Sequence, residues 1–224
     1  MTKRNRIPSE SGLHQKQKKG KPQTKTQTAS ITVFRDEVLM NELIESRNTK
    51  PFFTSKNNKW SNPLPNASWS VPIGKYHPGG FAFVRKQSVH TGVDLYCSHG
   101  EKVVAVEDGM VVAIEYFTGP EAASPWYNTT MAVMVEGVSG VVLYGEIKPN
   151  TNILLGKTLK TNDSIGEVVP VLKKDKGNGT SMLHIELYRK GTRKSVWWEH
   201  GHRQPARLRN PTDYLLQIIT TVNP

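Results

Sequence analysis

From Gly100 onward the apolar residues come in short β-branched runs broken by turn residues. Residues 102–106 read KVVAV, EDG interrupts the run, and residues 110–116 read MVVAIEY. Two β-prone runs flanking an Asp-Gly pair predict a hairpin about Asp108 and Gly109. After a longer loop, FTGPEAASPWYNTT, the runs MAVMVE and VVLYGEI are joined by GVSG and predict further antiparallel pairing. The last run, MLHIELY, alternates: Met182, His184 and Glu186 share one face of a strand, and Leu183, Ile185 and Leu187 share the other. The apolar face is expected to meet the core, which turns His184 towards a cleft. At least five strands and little helix make the expected class mainly β, an antiparallel sheet or sandwich.

Upstream the pattern changes. Residues 1–30 hold Lys, Gln, Thr, Ser and Gly with almost nothing to bury, and are expected to be a disordered basic tail. Residues 31–60 read as a linker. Within it Asp36 is a candidate cap for a short helix to about Ser46, since Leu39, Met40, Leu43 and Ile44 fall on one face. Residues 61–224 are expected to form the folded domain, approached through KWSNPLPNASWSVPIGKYHPGG, which is rich in turn formers.

Composition narrows the classes. In 224 residues with 36% apolar content, no apolar run approaches the roughly 18 residues that cross a bilayer, so no membrane span is expected. The net charge of +11 suggests nucleic acid until it is located. Residues 1–30 hold eight Lys or Arg against Glu10, a net of +7, so residues 31–224 carry only +4. The excess belongs to the tail, which suits contact with an anionic surface and makes nucleic-acid binding by the folded domain unexpected. The first 20 residues lack the apolar stretch of a secretory signal peptide. Localisation is therefore open, with release by lysis or association with a phage as routes to an outside target. A single cysteine, Cys97, forms no internal disulfide and no thiolate zinc site, so a metal here needs nitrogen and oxygen ligands.

His90 and Asp94 stand four residues apart in HTGVD, a spacing too common to mean much alone. A catalytic zinc takes about three protein ligands and leaves a fourth position for water. The third must come from elsewhere, and His184 on its alternating strand is the best candidate.

The stretch from about Trp69 to Leu216 resembles a known family. HTGVDLYCSHGEKVVAVEDGMVVAIE, starting at His90, is similar to the signature of the lysostaphin or LytM-type zinc endopeptidases, peptidase family M23 with its duplicated hybrid motif fold. LLGKTLKTNDSIGEV resembles that family's lysine- and glycine-containing turn, SMLHIELY its strand bearing the last zinc histidine, and NPTDYLL its usual ending. The resemblance implies that His90, Asp94 and His184 hold Zn2+. It also implies hydrolysis of glycine-containing peptide cross-links of bacterial peptidoglycan by a metal-activated water.

Two positions depart from the family pattern. Where relatives present acid/base histidines, this chain has Glu146, in YGE, and Met182. Met182 cannot exchange a proton, whereas a carboxylate beside a metal site is a competent general base, which makes Glu146 the catalytic candidate. The alternative is a catalytically inactive, zinc-keeping module that binds cell wall or a protein partner. Leukocyte-chemotaxin-type relatives, which the chain also resembles at VDLYCSHG and LHIE, keep the metal without proteolysis.

Other residues carry lesser expectations. Glu186 is either a partner to a metal ligand or a surface glutamate. Trp126 and Tyr127 are candidates for lining a substrate groove. His77 and His99 are candidate substitutes for a missing acid/base group. His200 and His202 sit in WWEHGHRQPARLR without strand alternation. The aromatic and basic residues around them accompany no nucleic-acid-binding motif.

Overall fold

Antiparallel pairing dominates the structure, as short loops between β-prone runs require. The computed structural model describes residues 59–174 and 181–222. All of them belong to one unit of the chain, Thr49–Pro224. The expected tail and linker helix lie outside the described residues.

In chain order the elements are β1 (Val93–Tyr96), β2 (Lys102–Val104), β3 (Gly109–Thr118), a 3-10 turn (Pro120–Ala122), β4 (Thr130–Gly137), β5 (Val141–Pro149), β6 (Thr158–Leu159), β7 (Ser164–Val168), β8 (Met182–Tyr188), β9 (Leu208–Arg209) and α1, the helix Thr212–Val222. The strands form one sheet with the path β1-β8-β5-β4-β3-β6, while β7 pairs with both β2 and β5, and β9 pairs with β8. The architecture is mainly β and antiparallel, as expected. Its central members are apolar and β-branched: Val141 to Tyr144 of β5 and Leu183 to Tyr188 of β8 are all buried. Each Leu or Ile side chain so buried contributes about 1.5–3 kcal/mol.

Two local expectations need correction. The runs on either side of Asp108 and Gly109 do not pair with each other: β2 pairs with β7, and β3 pairs with β4 and β6. The turn residues are engaged by a second turn instead. Asp108 accepts hydrogen bonds from the Thr161 backbone N–H (2.8 Å) and from Lys160 Nζ (3.0 Å), and the Ala105 N–H donates to the Asp163 carbonyl (2.9 Å). An Asp-Gly pair whose carboxylate is claimed from outside arches between partners rather than closing a hairpin. The second correction concerns β8, which is buried on both faces. The Phe117 ring lies 5.1 Å from the His184 ring, and the segment before β1 supplies His90 to the same side.

The second predicted pairing is present, with β4 and β5 joined through Gly137 and Gly140. It carries an irregularity that matters below. Met131 faces Ile147 and Val133 faces Tyr144, so two residues of β5, Gly145 and Glu146, stand against Ala132 alone. This is a β-bulge.

The folded region reaches to the last linker position. Trp60 is buried, stacks on Tyr214 of α1 with ring centroids 4.8 Å apart, and donates from its indole N–H to Ser139 Oγ (3.1 Å). Helix α1 starts where Asn210 Oδ1 accepts the Thr212 N–H (2.9 Å), with Pro211 at its head.

Candidate metal centre

The register of β1 against β8 sets Asp94 opposite His184, so their side chains emerge on one face. His90 lies just before β1. Its backbone is fixed by a bond from its N–H to the Phe83 carbonyl (2.8 Å) and one from the Ala82 N–H to its own carbonyl (3.0 Å). Gly92 makes the approach possible, because a Cβ there would stand 2.7 Å from His184 Nε2.

Three atoms converge. His90 Nε2 lies 3.2 Å from His184 Nδ1, His184 Nδ1 lies 2.7 Å from Asp94 Oδ1, and Asp94 Oδ1 lies 3.1 Å from His90 Nε2. Ligands about 2.0–2.1 Å from a tetrahedral zinc are about 3.3 Å apart. The triangle is thus a little tighter than a bound ion requires, and its two nitrogens and one oxygen are the donor set that zinc accepts. All three residues are at most 5% exposed.

The remaining polar atom of each residue is held from outside. His90 Nδ1 contacts the Gly80 carbonyl (2.9 Å), which gives Nδ1 the proton in neutral His90 and leaves the Nε2 lone pair facing the triangle. His184 Nε2 contacts Glu186 Oε1 (3.1 Å), and Asp94 Oδ2 faces Arg85 Nη2 (3.6 Å). Glu186 accepts a further bond from the Tyr188 hydroxyl, whose oxygen accepts the Val196 N–H (3.1 Å). A relay thus runs from His184 through Glu186 and Tyr188 to the segment after β8. Outer partners of this kind fix the tautomer and orientation of metal ligands.

Burial and charge pull these groups apart. Burial lowers His90. In His184 burial also opposes the charged form, but hydrogen bonds to Asp94 and Glu186 outweigh it and raise the group to about 10. Burial would raise Asp94, yet bonds to His184 and His90 hold it well below the usual carboxylate range. Glu186 is lowered against its burial by His184. Glu146 behaves differently. Burial, and then the charge of Asp94, push its carboxyl up to about 8.

Glu146 sits in the bulge of β5 with φ +63°, a left-handed conformation that costs a non-glycine residue about 1–3 kcal/mol. Its carbonyl accepts the Val169 N–H (3.1 Å). Its Oε2 is buried without a hydrogen-bond partner, and no other side-chain nitrogen or oxygen among the described residues is in that condition. Asp94 and His184 both act on its charge, which brings the fourth candidate residue into the field of the triangle.

The other candidates fall elsewhere. Met182 pairs across the strands with Tyr96. Trp126 is exposed and meets the Tyr127 ring edge-on at 6.0 Å. Their loop is tied to the segment after β7: Asn128 Nδ2 donates to the carbonyls of Pro170 (3.0 Å) and Leu172 (3.1 Å). That segment begins at Val169, whose N–H holds the Glu146 backbone. His77 leans on Tyr96 with ring centroids 6.2 Å apart. His99, His200 and His202 are exposed, and none joins the metal-capable group. Sequence reasoning missed Arg85 and Tyr188. Tyr188 was within reach, since it continues the alternation of Met182, His184 and Glu186. Arg85 carried no signal, because only the fold of residues 80–90 brings it to Asp94.

Residues 88–196 match the family model described as Peptidase family M23. Similar solved structures include a putative peptidase M23 from Pseudomonas aeruginosa (14% identity, TM-score 0.43), of which the chain covers 60% while 81% of the chain is matched. Another is CbpA from L. salivarius REN (17% identity, TM-score 0.47, 74% of this chain and 99% of that one). A third is a mutant catalytic domain of the prophage-encoded M23 protein EnpA from Enterococcus faecalis (17% identity, TM-score 0.39, 68% of this chain and 97% of that one). No curated protein matches the chain.

Proposed function

We propose, from the premise that residues 88–196 form a domain of peptidase family M23, that the chain is a zinc metallopeptidase hydrolysing peptide cross-links of bacterial peptidoglycan. His90, Asp94 and His184 hold the metal. The observation that carries this reading is the triangle itself, a buried set of three donor atoms within 3.2 Å of one another, each belonging to a side chain oriented by a further group. A bound zinc supplies polarisation of the scissile carbonyl and a water acidic enough to react near neutral pH.

Glu146 is the candidate general base towards the attacking water: burial and Asp94 push its carboxyl up, and the positive charge of a metal held at the triangle would draw it back to the carboxylate that can accept a proton. Its unpaired Oε2 and its left-handed backbone support this role, since each carries a free-energy cost. Trp126 and Tyr127 offer exposed and half-exposed aromatic surface for a peptide or its sugar neighbours. The basic tail of residues 1–30 gives the chain a means of holding an anionic wall polymer. No helix among the described residues is long and apolar enough to cross a membrane.

The test is digestion of cell walls by the zinc-loaded full chain, scored as new amino termini, alongside zinc stoichiometry. About one zinc per chain and release of amino termini are expected. Zinc retained after His90→Ala and Asp94→Ala together refutes the ligand set. Zinc binding without release of termini returns the chain to the silent-binder alternative.

A further inference from the structure

The carboxylates of Asp94, Glu146 and Glu186 are gathered around the triangle, and an acidic substrate approaching them meets like charge. One cationic side chain reverses that at a single point. It is Arg85, which the chemistry of the triangle does not use.

Arg85 reaches the site through the small hairpin that ends on His90. The His90 N–H donates to the Phe83 carbonyl (2.8 Å), Val84 bridges Val89, and the Arg85 N–H donates to the Ser88 carbonyl (2.8 Å). Residues directly opposite on antiparallel arms share a face, as do residues two apart on one arm. Phe83, Arg85, Ser88 and His90 therefore emerge together, so a guanidinium and a metal ligand lie on the same side. The return arm is fastened from outside: the Val89 N–H donates to the Trp198 carbonyl (2.7 Å), and Ser88 bridges Glu199. Arg85 stands on the other arm, with its side chain 47% exposed.

The guanidinium is placed but not engaged. Its Nη2 lies 3.6 Å from Asp94 Oδ2, whereas a closed arginine–carboxylate pair has contacts of about 2.7–2.9 Å. Among the described residues its side chain donates no hydrogen bond. Asp94 does not depend on it either, because Oδ1 lies within 3.1 Å of both histidines and the Asp94 N–H donates to the Gly79 carbonyl (2.9 Å). Its charge nevertheless acts on His90, Tyr96 and Glu146, residues of three different segments. A permanently charged fork of N–H donors, open to solvent beside the triangle, is short of an acceptor.

We infer that Arg85 forms an anion subsite that binds a carboxylate of the substrate peptide, so that the chain takes acidic peptides in preference to uncharged ones. This rests on the peptidase reading above and narrows it to a substrate class. A carboxylate is the anion that a peptide offers, and its two oxygens match the guanidinium fork. Because Asp94 presents Oδ1 to the triangle and Oδ2 to Arg85, a carboxylate on the free edge of Arg85 lies within the reach of about two extended residues, roughly 7 Å, of the triangle. A side-chain carboxylate and a free carboxyl end both satisfy that reach. A run of glycines alone offers the subsite nothing.

The experiment uses the zinc-loaded full chain and three acetylated tetrapeptides: alanyl-glycyl-glycine extended by glutamate amide, by glutamine amide, or by glutamine with a free carboxyl end. Only the first has a side-chain carboxylate, only the third a terminal one, and the second is uncharged. Binding is read by calorimetry in chains carrying Glu146→Gln, which holds hydrolysis back, and kcat/KM in chains that keep Glu146. The quantity that decides is the ratio of each carboxylate peptide to the uncharged one. A ratio of about 10 or more is expected for one of the two carboxylates, which identifies the source, and Arg85→Gln should bring it to within about twofold of unity. Arg85→Lys, which keeps the charge and loses the fork, should restore part of it. Ratios near unity in the parent overturn the inference, as does a ratio that survives Arg85→Gln. An Arg85→Gln chain that loses zinc, or all three peptides alike, also overturns it, since Arg85 would then act through Asp94 alone. If the parent shows the ratio in binding and cuts nothing, the peptidase reading fails and the subsite stands. If it cuts acidic and uncharged peptides equally, the peptidase reading stands and the subsite fails.

Discussion

The fold holds two clusters of polar groups withdrawn from solvent, and they are finished in opposite ways. Around Glu107 the groups satisfy one another. Its Oε1 accepts from Ser139 Oγ (2.6 Å) and from the Ser139 N–H (3.1 Å), Ser139 Oγ accepts the Trp60 indole, and the Ser139 carbonyl accepts Arg209 (2.5 Å). The cluster joins the residue before the domain, the turn between β4 and β5, and β9, and it leaves no atom asking for a ligand. Around His90, Asp94 and His184 the balance stays open. Three carboxylates, of Asp94, Glu146 and Glu186, lie close to two imidazoles, with one carboxylate oxygen unpaired and one backbone position strained. A satisfied network rigidifies a fold, and one left short of positive charge favours a cation. The difference separates a brace from a site, although both set acids beside hydroxyls and ring nitrogens.

Removing a member of the triangle should do the most to break this contrast. His90→Ala or Asp94→Ala is expected to abolish zinc binding and all wall-digesting activity, measured by metal analysis after dialysis and by release of amino termini. Chelation of the parent chain should lower its melting temperature, because a ligand bound only by the folded state stabilises it. Loss of zinc should leave the Glu107 brace intact, so far-ultraviolet circular dichroism should persist. Collapse of the sheet on chelation would show that the metal is structural rather than a guest of a finished fold.

Glu146 gives the next largest effect, with activity and stability moving in opposite directions. Glu146→Gln should lower kcat about 10²–10⁴-fold while zinc binding remains. Glu146→Gly should lose activity equally but resist urea better, by about 1 kcal/mol, because glycine adopts φ +63° without strain. A Glu146→Gly chain less stable than its parent would mean that the carboxylate supports the bulge, and the contrast with Glu107 would fade.

Glu186 tests the outer layer. Its charge reaches the centre only through His184, so Glu186→Gln should weaken zinc by about 10–100-fold without abolishing it, read by competition with a chelating dye. Tyr188→Phe, one step further along the relay, should do less. An unchanged zinc affinity in both would reduce the relay to packing.

How much of this was legible beforehand follows the range of the interactions. The alternation in MLHIELY placed His184 and Glu186 on one face, and the short β-branched runs announced a mainly antiparallel sheet. These are local periodicities, and a sequence displays them directly. The Asp108-Gly109 hairpin failed because its outcome depended on Thr161, Lys160 and Asp163, more than fifty residues away, which claim the turn from outside. Burial of β8 on its second face was hidden for the same reason: Phe117 and the segment around His90 cover it, and neither adjoins it in sequence. The strain at Glu146 was also out of sight, since YGE continues the β pattern without a break and only the register of β4 against β5 reveals the extra residue. Composition and period thus reach as far as strands and candidate donors. The orienting atoms, the Gly80 carbonyl, Arg85 and Tyr188, come from tertiary closure.

The smallest expected effect concerns the brace, and its sign is distinctive. Burial raises the Glu107 carboxyl above its ordinary value, against the hydrogen bonds from Ser139 that lower it. A carboxyl whose folded value is raised binds its proton more tightly in the folded chain than in the unfolded one. Its contribution to stability is therefore fully present below the unfolded value and is lost as pH rises through the folded value, so this group favours the fold more in acid than at neutrality. Asp108 runs the other way, since bonds from the Thr161 backbone and Lys160 lower it, and its support is lost as pH falls. In the parent chain the two slopes oppose each other. Glu107→Gln removes the first and leaves the second, so urea unfolding of parent and variant followed from about pH 4 to pH 7 should show the variant gaining on the parent as pH rises. Zinc stoichiometry and wall digestion should stay at parental levels throughout. A Glu107→Gln chain that loses zinc would join the two clusters into one system, whereas a difference independent of pH would mean that Glu107 acts through its hydrogen bonds alone and that its charge takes no part in the brace.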